Sequence, residues 1–210
     1  MANPMKSVIP SAQGEVLAVL ARTTSSLTGR QIAGLTDGRV SQKRVSDILN
    51  MLTGAGIVVR QVAGSSYLHR LNREHLAADA IVQLASIRDR LTGRIADEVG
   101  AWRSPGEGVW LFGSVVRGDG GANSDVDVLV VRNDEVGADD ALWLSQIDAL
   151  AQAVAGWTGN DCRIVEFSAG EIARLVGDDD PLVRSIRSEG IRIAGRRSLL
   201  AGSHPDRSGT

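Results

Sequence analysis

The run Val126-Asp-Val-Leu-Val-Val131, preceded by Ser124-Asp125, restricts the fold more than any other stretch. Side chains of a strand alternate between faces, so Asp125 and Asp127 share one side while Val126, Val128 and Val130 share the other. The valine side has to be packed inside a sheet. The aspartate side sets two like charges next to each other, an arrangement that calls for a cation. Upstream, VWLF (109–112) reads as a second strand, separated from the first by Gly113-Ser114 and a glycine-rich gap. Downstream come a helix from about Asp139 to Trp157, the strand CRIVEF, a helix from about Ala169 to Val176, and a closing helix and strand in PLVRSIRSEGIRIAG. Strands alternating with helices predict an α/β (α+β) class.

The aspartate-bearing half is only part of the chain. All 210 residues allow one large or two small domains, and aromatics at 3% leave aliphatic side chains to fill the cores. Residues 1–72 hold eight Lys/Arg and three Asp/Glu, a balance of +5, against 15 and 22, a balance of −7, in the remainder. A basic first third with an acidic remainder suits a chain of which only the first part meets a polyanion. A lone cysteine, Cys162, and the lack of zinc-type Cys/His spacing predict a reducing, cytoplasmic setting. No apolar run approaches the roughly 20 residues of a membrane span, and the N-terminus lacks a signal-peptide pattern, so no membrane partner is expected.

In the basic third, apolar positions Val16, Leu17, Val19 and Leu20 suit a helix from Ala12 to Arg22, and a second helix is expected from Thr28 to Leu35. Asp37-Gly38 marks a turn. Ser41 then caps a third helix with the stripe Val45, Ile48, Leu49 and Leu52, and IVVRQVAGSSYLHRLN reads as a hairpin around Gly64-Ser65-Ser66. Three helices followed by a hairpin resemble a winged helix-turn-helix over about residues 11–72. That resemblance implies duplex DNA as partner, with Ser41, Gln42, Lys43, Arg44 and Ser46 facing the major groove and Arg39 and Arg60 near phosphates. The bland reading of the same elements is an interaction or dimerisation module. Residues 73–103, with Leu76, Ile81, Leu84, Ile87, Leu91, Ile95 and Val99, predict one connecting helix, interrupted if anywhere near Gly93. Its stripe needs a partner, either the next domain or a second copy of the chain in a homodimer. The expected organisation is therefore 1–72, 73–103, 104–197 and a flexible tail, 198–210.

The chemistry lies in the third segment. A strand ending in Gly113-Ser114 and leading into a helix presents backbone N–H groups and a hydroxyl to a phosphate. Two carboxylates on one strand face can hold Mg²⁺, a hard cation that bridges substrate phosphates. Gly113, Ser114, Arg117, Gly118, Ser124, Asp125 and Asp127, in this order, resemble the signature of the DNA polymerase β nucleotidyltransferase superfamily, most closely its minimal bacterial members. The resemblance covers about residues 104–195. It implies a mixed sheet flanked by helices and transfer of a nucleoside monophosphate from an NTP to a protein or RNA acceptor. It also implies Mg²⁺, with Mn²⁺ as its substitute, and in some members a toxin-antitoxin pairing. Gly113, Ser114, Arg117 and Ser124 would bind the nucleotide, and Asp125 and Asp127 the metal.

Family members usually carry a third carboxylate on a later strand, where register puts Arg163 in this chain. If Cys162 and Ile164 face the core, Asp161 shares the exposed face with Arg163, and Glu166 turns inward or ends the strand. Asp161 is thus the preferred third catalytic carboxylate, Glu166 the second choice, and its absence the third. Loss of that group removes the general base and leaves nucleotide binding. The rival class is accordingly a DNA-binding regulator whose degenerate transferase-like domain senses a nucleotide. His69 and His75 read as surface residues, Trp143 and Trp157 as core.

Overall fold

The computed structural model describes residues 8–117 and 124–201. It divides into two compact units, one through Arg88 and one from Asp89 onward. Gly118 and the end of the tail lie outside the described residues.

The first unit is built from helix α1 (Ala12–Ala21), strand β1 (Leu27–Thr28), helices α2 (Gly29–Leu35) and α3 (Gln42–Gly54), the hairpin β2 (Val58–Ala63) and β3 (Ser66–Leu71), and helix α4 (Ala78–Ala85). Two of the helix starts are chemically marked. Thr28 and Gln31 form a capping box at α2, and the Ser41 hydroxyl accepts from the Arg44 N–H at α3. The stripe Val45, Ile48, Leu49 and Leu52 is buried as the helical period requires, in one core with Val16, Leu20, Ile32, Val58 and Leu71. Burial of each such aliphatic side chain contributes on the order of 2 kcal/mol. The three strands are antiparallel in the order β1-β3-β2.

The connecting helix is two helices. α4 ends at Ala85, and α5 (Ile87–Gly100) begins after Ser86, not near Gly93. Ser86 bonds its hydroxyl to the Gln83 carbonyl at 3.0 Å, giving the backbone a local alternative to the helical ladder. The apolar stripe is divided accordingly: Ala78, Ile81 and Ala85 join the first unit's core, and α5 buries Leu91, Ile95 and Val99. Leu76, counted with the stripe from sequence, is fully exposed.

The second unit continues with β4 (Gly108–Phe112), the short helix α6 (Ser114–Arg117), β5 (Val126–Arg132), α7 (Ala141–Thr158), β6 (Cys162–Ser168), α8 (Ala169–Gly177), α9 (Pro181–Glu189) and β7 (Ile191–Gly195). The sheet order is β6-β5-β4-β7; β5 and β6 are parallel, the other neighbours antiparallel. This is a mixed four-stranded sheet flanked by helices, as the α/β reading requires. β5 is covered on both faces. Leu129 and Val131 pack with Trp110, Phe112, Ile172, Val183 and Ile186 under α8 and α9, while Val126, Val128 and Val130 are fully buried on the other side. The tail expected from residue 198 begins as part of a 3-10 turn, Arg197–Leu200, held because Leu200 is buried in the α8 and α9 layer.

Candidate active site

Strand pairing places Asp127, whereas Asp125, expected on the same strand, lies one residue before β5. Asp127 stands opposite Phe112 on β4 and beside Arg163 on β6. It therefore occupies the end of the face that carries Leu129 and Val131, where apolar cover gives way to solvent. Burial raises its carboxyl above the ordinary carboxylate range; Arg163 opposes the shift and the like charge of Asp125 adds to it.

Gly113 follows β4 directly, with φ of +73°. Its Cα faces the Asp127 carboxylate so closely that a β-carbon would overlap Oδ2 and sit 3.1 Å from Cγ. Glycine is needed twice here, for a left-handed backbone and for room beside a carboxylate. The Gly113 carbonyl accepts from the Val116 and Arg117 N–H groups, each at 3.2 Å, which starts α6 with Ser114 half-buried as its first residue. Arg117 is exposed, 3.5 Å from Glu189. Ser124 lies half-buried next to Asp125.

One cation stands beside the carboxylates, Arg163. Its Nη2 donates to Asp125 Oδ2 at 3.1 Å. Asp127 and Arg163 are register partners on parallel strands, so the arginine stands beside the carboxylates. Asp161 is exposed just before β6, and its carbonyl accepts from the Val126 N–H at 2.8 Å, so its backbone runs alongside Asp125. Among the described residues, however, no three His, Cys, Asp or Glu side chains gather to hold a metal. The structure thus brings Asp125, Asp127, Gly113 and Arg163 together without adding Asp161 to a three-carboxylate group. Glu166 is turned to the other sheet face, beside Val130, and bonds Arg132 Nε at 2.7 Å. Cys162 pairs with Val126 and is half-buried; burial, with the charge of Asp127, pushes its thiol up to about 11.

Residues 94–160 match the nucleotidyltransferase domain family. The matched segment contains Gly113, Ser114, Asp125 and Asp127 and ends one residue before Asp161, so Arg163 lies past it. Two solved structures are similar at low level. A toxin-antitoxin with AMP-PNP is 21% identical, over 52% of this chain and 77% of that one, with a TM-score of 0.36. A toxin-antitoxin MntA-HpeT mutant is 19% identical, over 52% and 80%, with a TM-score of 0.37. No curated protein matches.

In the first unit, Gln42, Lys43, Arg44 and Ser46 are exposed at the start of α3, and the exposed Ser41 has its hydroxyl engaged as the cap. The first turn of α3 holds no acidic residue. Two cations at the positive end of a helix dipole gain nothing from the helix itself, an arrangement that suits an external anion. Arg39 differs: it pairs with Glu15, whose side chain is 7% exposed, at 3.6 Å and with Asp37 at 3.3 Å, so its charge is met inside the unit. Arg60 lies over the Tyr67 ring at 4.7 Å. His69, read as a surface residue from sequence, is buried between β1 and β2, opposite Leu27 and Arg60, because β1 adds a third strand that no sequence signal announced.

Proposed function

We propose that this chain is a Mg²⁺-dependent nucleotidyltransferase that moves a nucleoside monophosphate from an NTP to a protein or RNA acceptor, and that its first unit is a winged helix-turn-helix that binds duplex DNA. The observation that carries the transferase reading is the packing of Asp127 on Gly113, next to Asp125, inside a segment that matches the nucleotidyltransferase domain. Two carboxylates suit Mg²⁺, which keeps few protein ligands and completes its shell with substrate oxygens and water; they do not suit an all-protein cage. Asp125 and Asp127 would hold that ion, which when bound neutralises triphosphate charge.

The chain's own groups do the rest. Gly113 lets the triphosphate approach the backbone, Ser114 offers its hydroxyl, and Arg117 and Arg163 face the phosphates as cations. The acceptor oxygen forms a bond to the α-phosphorus, the bond from that phosphorus to the pyrophosphate oxygen breaks, and Asp161 takes the hydroxyl proton. A toxin-antitoxin partner is the protein acceptor that the superfamily resemblance implies.

A second reading draws on one ion pair. Arg163 bound to Asp125 supplies the cation without a general base, and in that case the domain senses a nucleotide for a DNA-binding regulator and turns nothing over. Incubation with each labelled NTP and Mg²⁺, in the presence of candidate proteins and RNA, separates the two. Transfer supports the enzyme; Mg²⁺-dependent NTP binding with no transfer supports the regulator. Asp125→Asn with Asp127→Asn removes that binding in either case, and calorimetry showing it unchanged overturns both readings.

A further inference from the structure

Away from the aspartates, three arginines from three different elements converge on one cavity of about 430 Å³: Arg187 of α9, Arg192 of β7 and Arg197 of the 3-10 turn. Its floor is apolar, made by Trp110, Ile186 and Leu200. None of Gly113, Ser114, Asp125, Asp127 or Arg163 lines it, and neither does any carboxylate.

The charge balance is one-sided. Arg192 Nη1 donates to the Gly195 carbonyl at 2.7 Å, which fixes its head, and neither Arg192 nor Arg197 forms an ion pair among the described residues. Arg187 comes only within 3.9 Å of Asp179. The neighbouring Arg196, by contrast, is paired with Glu107. Like charges gathered around one concavity repel, and an anion with two or more charges relieves all three at once. Guanidinium forks match phosphate oxygens, and a volume in the lower part of the range of small-ligand sites fits one nucleotide better than a folded partner. Apolar surface beneath a cationic rim suits a sugar and base carried on phosphates.

We propose that this cavity is a second, metal-independent nucleotide site that holds a nucleotide by its phosphates, either free or at the end of an RNA strand. The full chain in EDTA, where the aspartate pair without metal repels polyphosphate, isolates the site. Calorimetric titration with ATP and with inorganic triphosphate should give saturable binding there. Arg192→Ala with Arg197→Ala should weaken it by about tenfold or more, the scale of removing two charge-assisted hydrogen bonds. Asp125→Asn with Asp127→Asn should leave it unchanged. Arg187→Ala with Arg197→Ala keeps the Arg192 hydrogen bond to Gly195, and it should weaken binding as much with an unaltered circular dichroism spectrum. A short 5′-phosphorylated single-stranded RNA that binds more tightly than ATP places the ligand at a strand end; tighter ATP makes it a free nucleotide. Absence of saturable binding in EDTA, or wild-type affinity in the Arg187 and Arg197 variant, overturns the proposal.

Discussion

Gly113 and Gly38 have nearly the same left-handed φ, +73° and +75°, and differ in what surrounds them. A β-carbon at Gly38 meets nothing within 4 Å, whereas one at Gly113 meets the Asp127 carboxylate. The same contrast separates the two candidate surfaces. The aspartate site is assembled by packing, from residues on or directly beside β4, β5 and β6 that constrain one another. The exposed face of α3 is displayed by one helix, and its side chains answer mainly to solvent. A packed site has a perturbed carboxylate, Asp127, and an intolerant glycine, Gly113; the effects of residues on a displayed one add.

The largest expected effect sharpens the packed side. Asp161→Asn should reduce nucleotidyl transfer by about a hundredfold or more, the scale of removing a general base, while NTP affinity stays unchanged. Full turnover in that variant would place the base elsewhere and leave the two aspartates as they are.

Next comes the glycine pair itself. Gly38→Ala should cost no more than the backbone strain, on the order of 1 kcal/mol, and Gly113→Ala should cost more, about 3 kcal/mol in all, with weakened Mg²⁺-dependent NTP binding. All four tryptophans lie in the second unit, at 102, 110, 143 and 157, so urea unfolding followed by tryptophan fluorescence reads that unit and circular dichroism reads both. Equal costs at the two positions would mean that the Asp127 carboxylate yields to a β-carbon at Gly113 without penalty.

For the displayed surface the expectation is graded. Replacing Lys43 and Arg44 by Ala should lower the slope of log K against log salt by about one for each phosphate no longer neutralised, across all duplex sequences. Intact protein that shows no duplex binding at low salt would make the first unit an interaction module.

The smallest effects concern titration. Asp127 holds its proton more tightly in the folded chain than at the ordinary value of 3.8, so its contribution to stability is fully present below that pH and is lost as pH rises through the folded value. Asp127→Asn should therefore stabilise the second unit at neutral pH and give no gain in acid, as read by urea unfolding at the two pH values. The same substitution should make the Cys162 thiol, now near 11, slightly easier to alkylate, since it removes the lesser of two causes.

Much of the architecture was legible because its signals are local. The valines of β5, the buried stripe of α3 with its Ser41 cap, and the Gly113-Ser114 turn each depend on a period or a cap within a few residues. Legibility failed where a partner comes from afar. His69 reads as polar and isolated until β1, about forty residues upstream, covers it. The break between α4 and α5 at Ser86 interrupts an apolar rhythm that reads as one helix, in which Gly93 was the expected breaker.

Written in the sequence alone are the elements and their chemistry: strands alternating with helices, a basic first third, two aspartates at the start of an apolar run, and Arg163 in the strand that follows. Only tertiary structure decided how those groups are used. The register between β5 and β6 joins residues 36 positions apart and sets Arg163 beside Asp127 and within reach of Asp125, while Glu166 goes to Arg132 on the other face. Three arginines that are scattered over α9, β7 and the final turn meet at one cavity for the same reason. Periodicity is written into neighbouring residues, but the partner of a charge is chosen by which strands pair and which faces are covered, and this depends on the whole packed sheet.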